Sequence, residues 1–366
     1  MKKKRIVCPA GVLSRLRILA LGIGILGVAG CATKPIVRKP IFYPPAPDEP
    51  RIQYLTSFST SADIEPPPNR LLTFLTGYKG KVRSVLKPYG VAVANGRIFL
   101  CDTYLGCLCV FDLEHGVFSY FTPRGPGAIG KPINADVDAD RNLYVADVER
   151  RRVVKFDAQG QYLTAITGNE TFRPVDVVAR GEKVYVVDTG GRKVRVYDRT
   201  SGTELLVVPA ATATNVSEEL YVPINADVDD DGNIYVADAA AFRVQIYDPE
   251  GQRVKSIGSQ GTGFGEFARP KGIALDRGGR MYIVDAAAQL VQVFDVKTSA
   301  LLMYFGDPEG SEVPLSLPAG IAIDYDSVQY FQKYADPGFE VEYLVLVTSQ
   351  YGSPRVSIYG FGHRKQ

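Results

Sequence analysis

Pro270-Lys271-Gly272-Ile273-Ala274-Leu275-Asp276, then Tyr282-Ile283-Val284-Asp285, then Val291-Gln292-Val293-Phe294-Asp295 reads as three short strands with turns between them. Apolar residues alternate within each piece, and Asp and Gly punctuate the joins, as half-buried antiparallel strands require. The middle piece recurs as Phe99-Leu100-Cys101-Asp102, Tyr144-Val145-Ala146-Asp147, Tyr185-Val186-Val187-Asp188 and Tyr235-Val236-Ala237-Asp238. Each copy is followed by a strand closing on an aromatic-Asp pair, at Phe111-Asp112, Phe156-Asp157, Tyr197-Asp198, Tyr247-Asp248 and Phe294-Asp295. The marker aspartates lie 45, 41, 50 and 47 residues apart, the period of propeller blades. A lone four-stranded sheet leaves a face bare, so neighbouring blades must cover one another.

A sixth unit is incomplete. Leu317 to Asp324 matches the strand that opens the fifth blade, Tyr343–Thr348 supplies a second strand and Pro354–Phe361 a third. The chain ends at Gln366, so the missing strand must come from Arg51–Phe58, which alternates polar and apolar residues. Closing the ring with both termini removes an open sheet edge. The expected fold is therefore all-β, a six-bladed β-propeller closed by an N-terminal strand completing the last blade.

Residues 1–30 read as a signal peptide: six basic residues, then an apolar run from Ile18 to Gly30 too short to favour a spanning helix. Val28-Ala29-Gly30-Cys31 resembles the lipobox of bacterial lipoproteins, and that resemblance implies Cys31 as the lipidated N-terminus. Ala32, where some of these proteins carry the Asp that retains them in the inner membrane, points to the outer membrane. Residues 31–50 hold six prolines and read as a semi-rigid tether, reaching roughly 60 Å at ~3.1 Å per residue. Residues 51–366 form the propeller. Losing six of the 42 bases leaves 36 Lys and Arg against 40 Asp and Glu, so the tethered domain is acidic and nucleic acid is not an expected partner.

The repeating Pro-x-Gly-Ile/Val-Ala-Val-Asp, Tyr-Val-x-Asp and Val-x-Val-Phe/Tyr-Asp pattern resembles the NHL repeat over about residues 85–361, with Pro270–Asp276 and Tyr282–Asp285 as the best copy. Many NHL repeats place Asn three residues after the blade aspartate; this chain has Leu105, Arg150, Gly191, Ala241 and Ala288 there. NHL-like propellers include scaffolds, receptor ectodomains and a few enzymes, and fold does not choose among them.

Several chemistries fail on inventory. The only histidines are His115 and His363, there is no Trp, and neither a Cys-x-x-Cys-His haem motif nor a nucleophile elbow is present. Cys101, Cys107 and Cys109 lie on facing strands of one hairpin and read chiefly as small buried apolar residues, with a disulfide from Cys101 as the alternative. Aligning the opening strands puts Asn134, Asp176 and Asn225 where other blades have Gly90, Gly272 and Gly320. Two positions on, Asp136 and Asp227 stand where other blades have Ala or Val. Opening strands line the channel, so these five side chains are the candidate ligands there, for Ca²⁺ as the candidate cation or for a closed hydrogen-bond network. Tyr330, Phe331 and Tyr334, in an irregular insertion in blade six, are the candidate partner contacts, since aromatics are enriched at interfaces, or else they plug one end of the disc. The favoured expectation is a lipid-anchored envelope scaffold for other envelope proteins, without catalysis of its own. The alternative is a cation-dependent, lactonase-like hydrolase using Asp136, Asp176 and Asp227, or a polar-ligand-binding propeller using the channel.

Overall fold

The structure is a computed structural model and describes residues 39–67, 74–75, 80–210, 219–306 and 313–365. Cys31 and the signal peptide lie outside the described residues. Among those described, no helix is long and apolar enough to cross a membrane.

Five four-stranded antiparallel sheets and one of five strands make six blades. The innermost strands are Pro88–Ala94, Pro132–Val137, Pro174–Arg180, Pro223–Val228, Pro270–Leu275 and Pro318–Asp324. Each begins at a proline facing the end of the second strand, as with Pro270 opposite Asp285, and a register shift follows at once. Proline suits the first residue of a strand, where no ladder donor is needed.

Blade six is completed as expected: Ile52–Phe58 pairs with Val356–Arg364, which pairs with Phe339–Ser349 and so with the innermost strand. The ring also takes in Phe42–Tyr43, residues the sequence reading gave to the tether; they pair with Ile52–Gln53 as a fifth strand. Phe42 packs on Phe339, and Tyr43 is buried against Phe305 and Tyr359.

Apolar clusters fill the gaps between adjacent blades. Phe58, Phe111, Phe118 and Leu346 pack between blades six and one, and Tyr282, Phe305 and Tyr359 between five and six. The marker aspartates, all buried, fix the chain between blades. Asp102 accepts hydrogen bonds from the N–H groups of Leu86 and Lys87, just before the innermost strand, and of Tyr104 and Leu105, just after the second. Asp285 does the same with Ala268, Arg269, Ala287 and Ala288. The donors at Leu105, Arg150, Gly191 and Ala288 are backbone amides, so the latch works without an Asn at that place. In blade six Ser349 stands opposite Pro318, and its hydroxyl oxygen accepts from the Ser316 N–H.

The three cysteines are free and buried. Cys101 faces Leu108 across the hairpin and Cys109 faces Leu100, so Cys101 points to the opposite side of the sheet from Cys109 and packs in a different cluster. Strand alternation thus prevents a Cys101 disulfide with either neighbour.

Candidate functional site

The central channel widens into a cavity of about 660 Å³ whose lining includes all five predicted side chains: Asn134, Asp136, Asp176, Asn225 and Asp227. The five residues singled out in the sequence thus lie together in one cavity. Blades two, three and four contribute them, while blades one, five and six supply Val91, Ala274 and Ile321 to the opposite wall.

Four of the five side chains hydrogen-bond a neighbouring blade, while Asn134 Oδ1 accepts from the N–H of Ala135 beside it. Asp136 Oδ2 accepts from the Ala179 N–H at 2.8 Å, Asp176 Oδ2 from Ala226 at 2.8 Å and Asp227 Oδ2 from Leu275 at 2.8 Å. Asn225 Oδ1 accepts from Ile273 at 2.6 Å. Elsewhere the strands touch directly: a Cβ on Gly320 would fall 2.4 Å from the Tyr89 carbonyl oxygen, and one on Gly272 2.5 Å from that of Ala319. A Cβ on Gly90 would fall 2.0 Å from Asn134 Oδ1, so glycine there makes room for the asparagine. The alternation of Gly with Asn and Asp in the sequence records two ways of joining blades.

One oxygen of each carboxylate is thus committed to the neighbouring blade. Asp136 and Asp227 give the other to the N–H of Val137 at 2.8 Å and Val228 at 2.7 Å. Among the described residues no group of three or more His, Cys, Asp and Glu side chains is arranged to hold a metal ion.

The electrostatics set the three acids apart. Burial raises Asp136 to about 6, against the opposing pull of the Ala179 and Val137 amides and of Arg180. Burial also raises Asp176 well above the usual carboxylate range, helped by the charges of Asp136 and Asp227. Asp227 is raised by the same burial and is opposed chiefly by Arg180. Arg180, which the sequence reading missed, ends the innermost strand of blade three and donates from its guanidinium to Asp227 Oδ1 at 3.3 Å. Its side chain is half exposed, so it can turn toward a ligand.

The mouth around Arg180 is acidic, with Asp229, Asp230, Asp231, Asp276, Asp324 and Asp326 in the cavity rim. Three of these are occupied in holding turns, Asp324 by accepting from the Asp326 and Ser327 N–H groups. Asp229 accepts from the N–H groups of Asp231 and Asn233 and from the Tyr235 hydroxyl. Asp276 accepts from the Gly278 and Arg280 N–H groups and from Arg280 Nη1. Asp230 and Asp231 are exposed at the rim.

The blade-six insertion is a short helix, Val328–Phe331, followed by a 3₁₀ turn, Gln332–Tyr334. Phe331 is fully buried and packs against Phe58, which corrects its expected role as a surface contact: the insertion needs it as an anchor. Tyr330 leans on Phe331 and Tyr334 is exposed, with Lys333 over both tyrosine rings. None of the three lines the channel. His115 pairs with Asp112 in a blade-one turn and His363 with Glu342 on the last strand, so neither lies in the cavity.

The sequence matches a family described as a 6-bladed beta-propeller (DUF5128) over residues 227–304. No curated protein matches it. Among solved structures it is similar to a streptogramin B lyase, with TM-score 0.54 and 13% identity, covering 76% of this chain and 83% of that one. A catalytically inactive virginiamycin B lyase from Staphylococcus aureus, solved with quinupristin, gives TM-score 0.52 and 11% identity over 75% and 81% of the two chains. A structural genomics protein of unknown function from Bacteroides thetaiotaomicron gives TM-score 0.56 and 17% identity over 85% and 75%. At these identities the likeness is one of fold. It removes the ground for expecting a ring without catalysis of its own, because the same frame, over most of its length, also carries lyases. The inactive lyase carries a histidine-to-alanine change, and His115 and His363 of this chain both lie outside the cavity.

Proposed function

We propose that the protein binds and acts on a small, positively charged polar ligand in the acidic mouth of its central channel, by proton-transfer chemistry. The observation that carries this is a cavity of about 660 Å³ lined by three buried or partly buried carboxylates, one of them paired with the Arg180 guanidinium. Asp230 and Asp231 at the rim attract the cation, and low-dielectric walls focus that field. Asp136, raised to about 6, is the candidate acid–base group, since a useful catalytic acid or base titrates near working pH. Arg180 is the candidate for stabilising negative charge that develops on the ligand. The lyases of similar fold support a catalytic use of the ring over a purely structural one. The lipobox-like Val28-Ala29-Gly30-Cys31 and the NHL-like repeat support placing this chemistry in a bacterial envelope on a lipid tether, with other envelope proteins as neighbours.

The test uses two probes, spermidine and arginine methyl ester, the second also reporting ester cleavage. Saturable binding that weakens tenfold or more in Asp230→Asn/Asp231→Asn, and ester cleavage that is lost in Asp136→Asn, are expected. A melting temperature that ignores both cations at millimolar concentration would sink the reading.

A further inference from the structure

The innermost strands begin at the other end of the channel, and that end is lined differently. The residues just before the six opening prolines are Lys87, Lys131, Arg173, Val222, Arg269 and Leu317. The first five each donate a backbone N–H to a marker aspartate, at 2.8–3.1 Å, which fixes the backbone at four cationic residues. The Arg173 guanidinium donates to the Glu170 and Phe172 carbonyls, and the Lys87 ammonium lies over the Tyr351 ring. Among the described residues, none of these four, nor Lys271, has a carboxylate within ion-pair distance.

Just after the prolines, blades two to four present Ile133, Val175 and Ile224, each partly open. Blade five presents Lys271 at the same place. Its ammonium reaches past Ala319 of blade six to the Tyr89 hydroxyl of blade one at 2.9 Å, and sits 4.7 Å from that ring. Burial and then the nearby Arg269 push Lys271 down to about 8, so the amine pays for lacking a counter-ion. A partly buried cation facing an apolar collar leaves two needs unmet: a negative charge on one side and apolar cover on the other.

We propose that this end of the channel is a second binding site, for a carboxylate carried on an apolar body. Lys271 and the Tyr89 hydroxyl hydrogen-bond the carboxylate, the body lies on Ile133, Val175 and Ile224, and the rim of Lys87, Lys131, Arg173 and Arg269 draws the anion in. This site does not depend on the acidic mouth or on any reaction there.

The test is calorimetric titration of the full chain with octanoate and, separately, acetate, at pH 7 and pH 9. Octanoate should bind one to one and at least tenfold more tightly than acetate, and should weaken by a similar factor at pH 9 as Lys271 loses its proton. Lys271→Gln should abolish that pH dependence and weaken octanoate at least tenfold, with Tyr89→Phe, which keeps the ring, weakening it about threefold in line with one lost hydrogen bond. Octanoate binding no tighter than acetate, or unchanged in both variants, overturns the proposal.

Discussion

Asp136 ties the architecture to the proposed chemistry through a single proton. A carboxyl raised from about 4 to about 6 stays protonated in the fold while the unfolded chain ionises, so stability falls as pH rises through that window. The difference is on the order of 3 kcal/mol between pH 4 and pH 7. Asp136→Asn keeps an oxygen to accept the Ala179 N–H and has no charge to bury. Because it leaves the Val137 N–H without an acceptor, it should cost about 1 kcal/mol at pH 4, recover that loss by pH 7.5, and abolish the ester cleavage proposed above. Urea denaturation at the two pH values checks the first part, and an unchanged slope with pH counts against the raised acid. The candidate residues on the innermost strands were legible because they break a pattern that Gly and Ala set at the same place in other blades. Arg180 was not, since it stands at the strand's end where no repeat position flags it. Phe331 was misread because an aromatic cluster in an insertion looks the same whether it faces solvent or anchors the insertion.

The marker aspartate is the element that makes a blade, and its sequence signal was strong for a physical reason. A buried carboxylate must be satisfied, and here backbone amides on both sides of the blade entrance satisfy it. Only Asp at that position closes both loops at once, so it recurs while the loop residues vary. Asp285→Ala orphans four buried or half-buried N–H groups and should cost at least about 3 kcal/mol. Asp285→Asn can still accept but offers one oxygen in place of two and should cost less. Guanidinium unfolding of the two variants decides it, and equal midpoints would mean that the latch carries no energy. The opposite loops use a second device of the same kind: Asp138 and Asp229 each hold a turn and take a tyrosine hydroxyl from the strand behind, at 3.1 Å in both blades. Both devices were visible only as recurrent Asp. Their donors are main-chain groups, which carry no side-chain identity to read.

At the scale of the whole ring, the two ends of the channel differ in exposed charge, with Asp230 and Asp231 where the innermost strands end, and Lys131 and Arg269 beside the buried marker aspartates where they begin. No stretch of sequence announces the cations at that end, because the four arrive one per blade and tens of residues apart. Net charge averaged over the chain hides them further. Closure was the most legible global feature, since a sixth blade one strand short requires a donor and Ile52–Phe58 is the alternating strand left over. Phe58 is the keystone of that joint, buried and stacked at 5.2 Å on Phe111 of blade one. Phe58→Ala should cost ~3–5 kcal/mol and lower the denaturant midpoint. A shift under half that size would place the weight of closure elsewhere, on the Phe42–Tyr43 strand. The same joint has a mechanical meaning. A pull applied at the N-terminus meets Phe42–Tyr43 first, a two-residue strand that peels away readily. It then loads Ile52–Phe58 from its Ile52 end, unzipping the pairs with Val356–Arg364 one after another instead of shearing them together. The ring would therefore open under tension at its seam while five blades keep their shape, and the joint would act as a fuse.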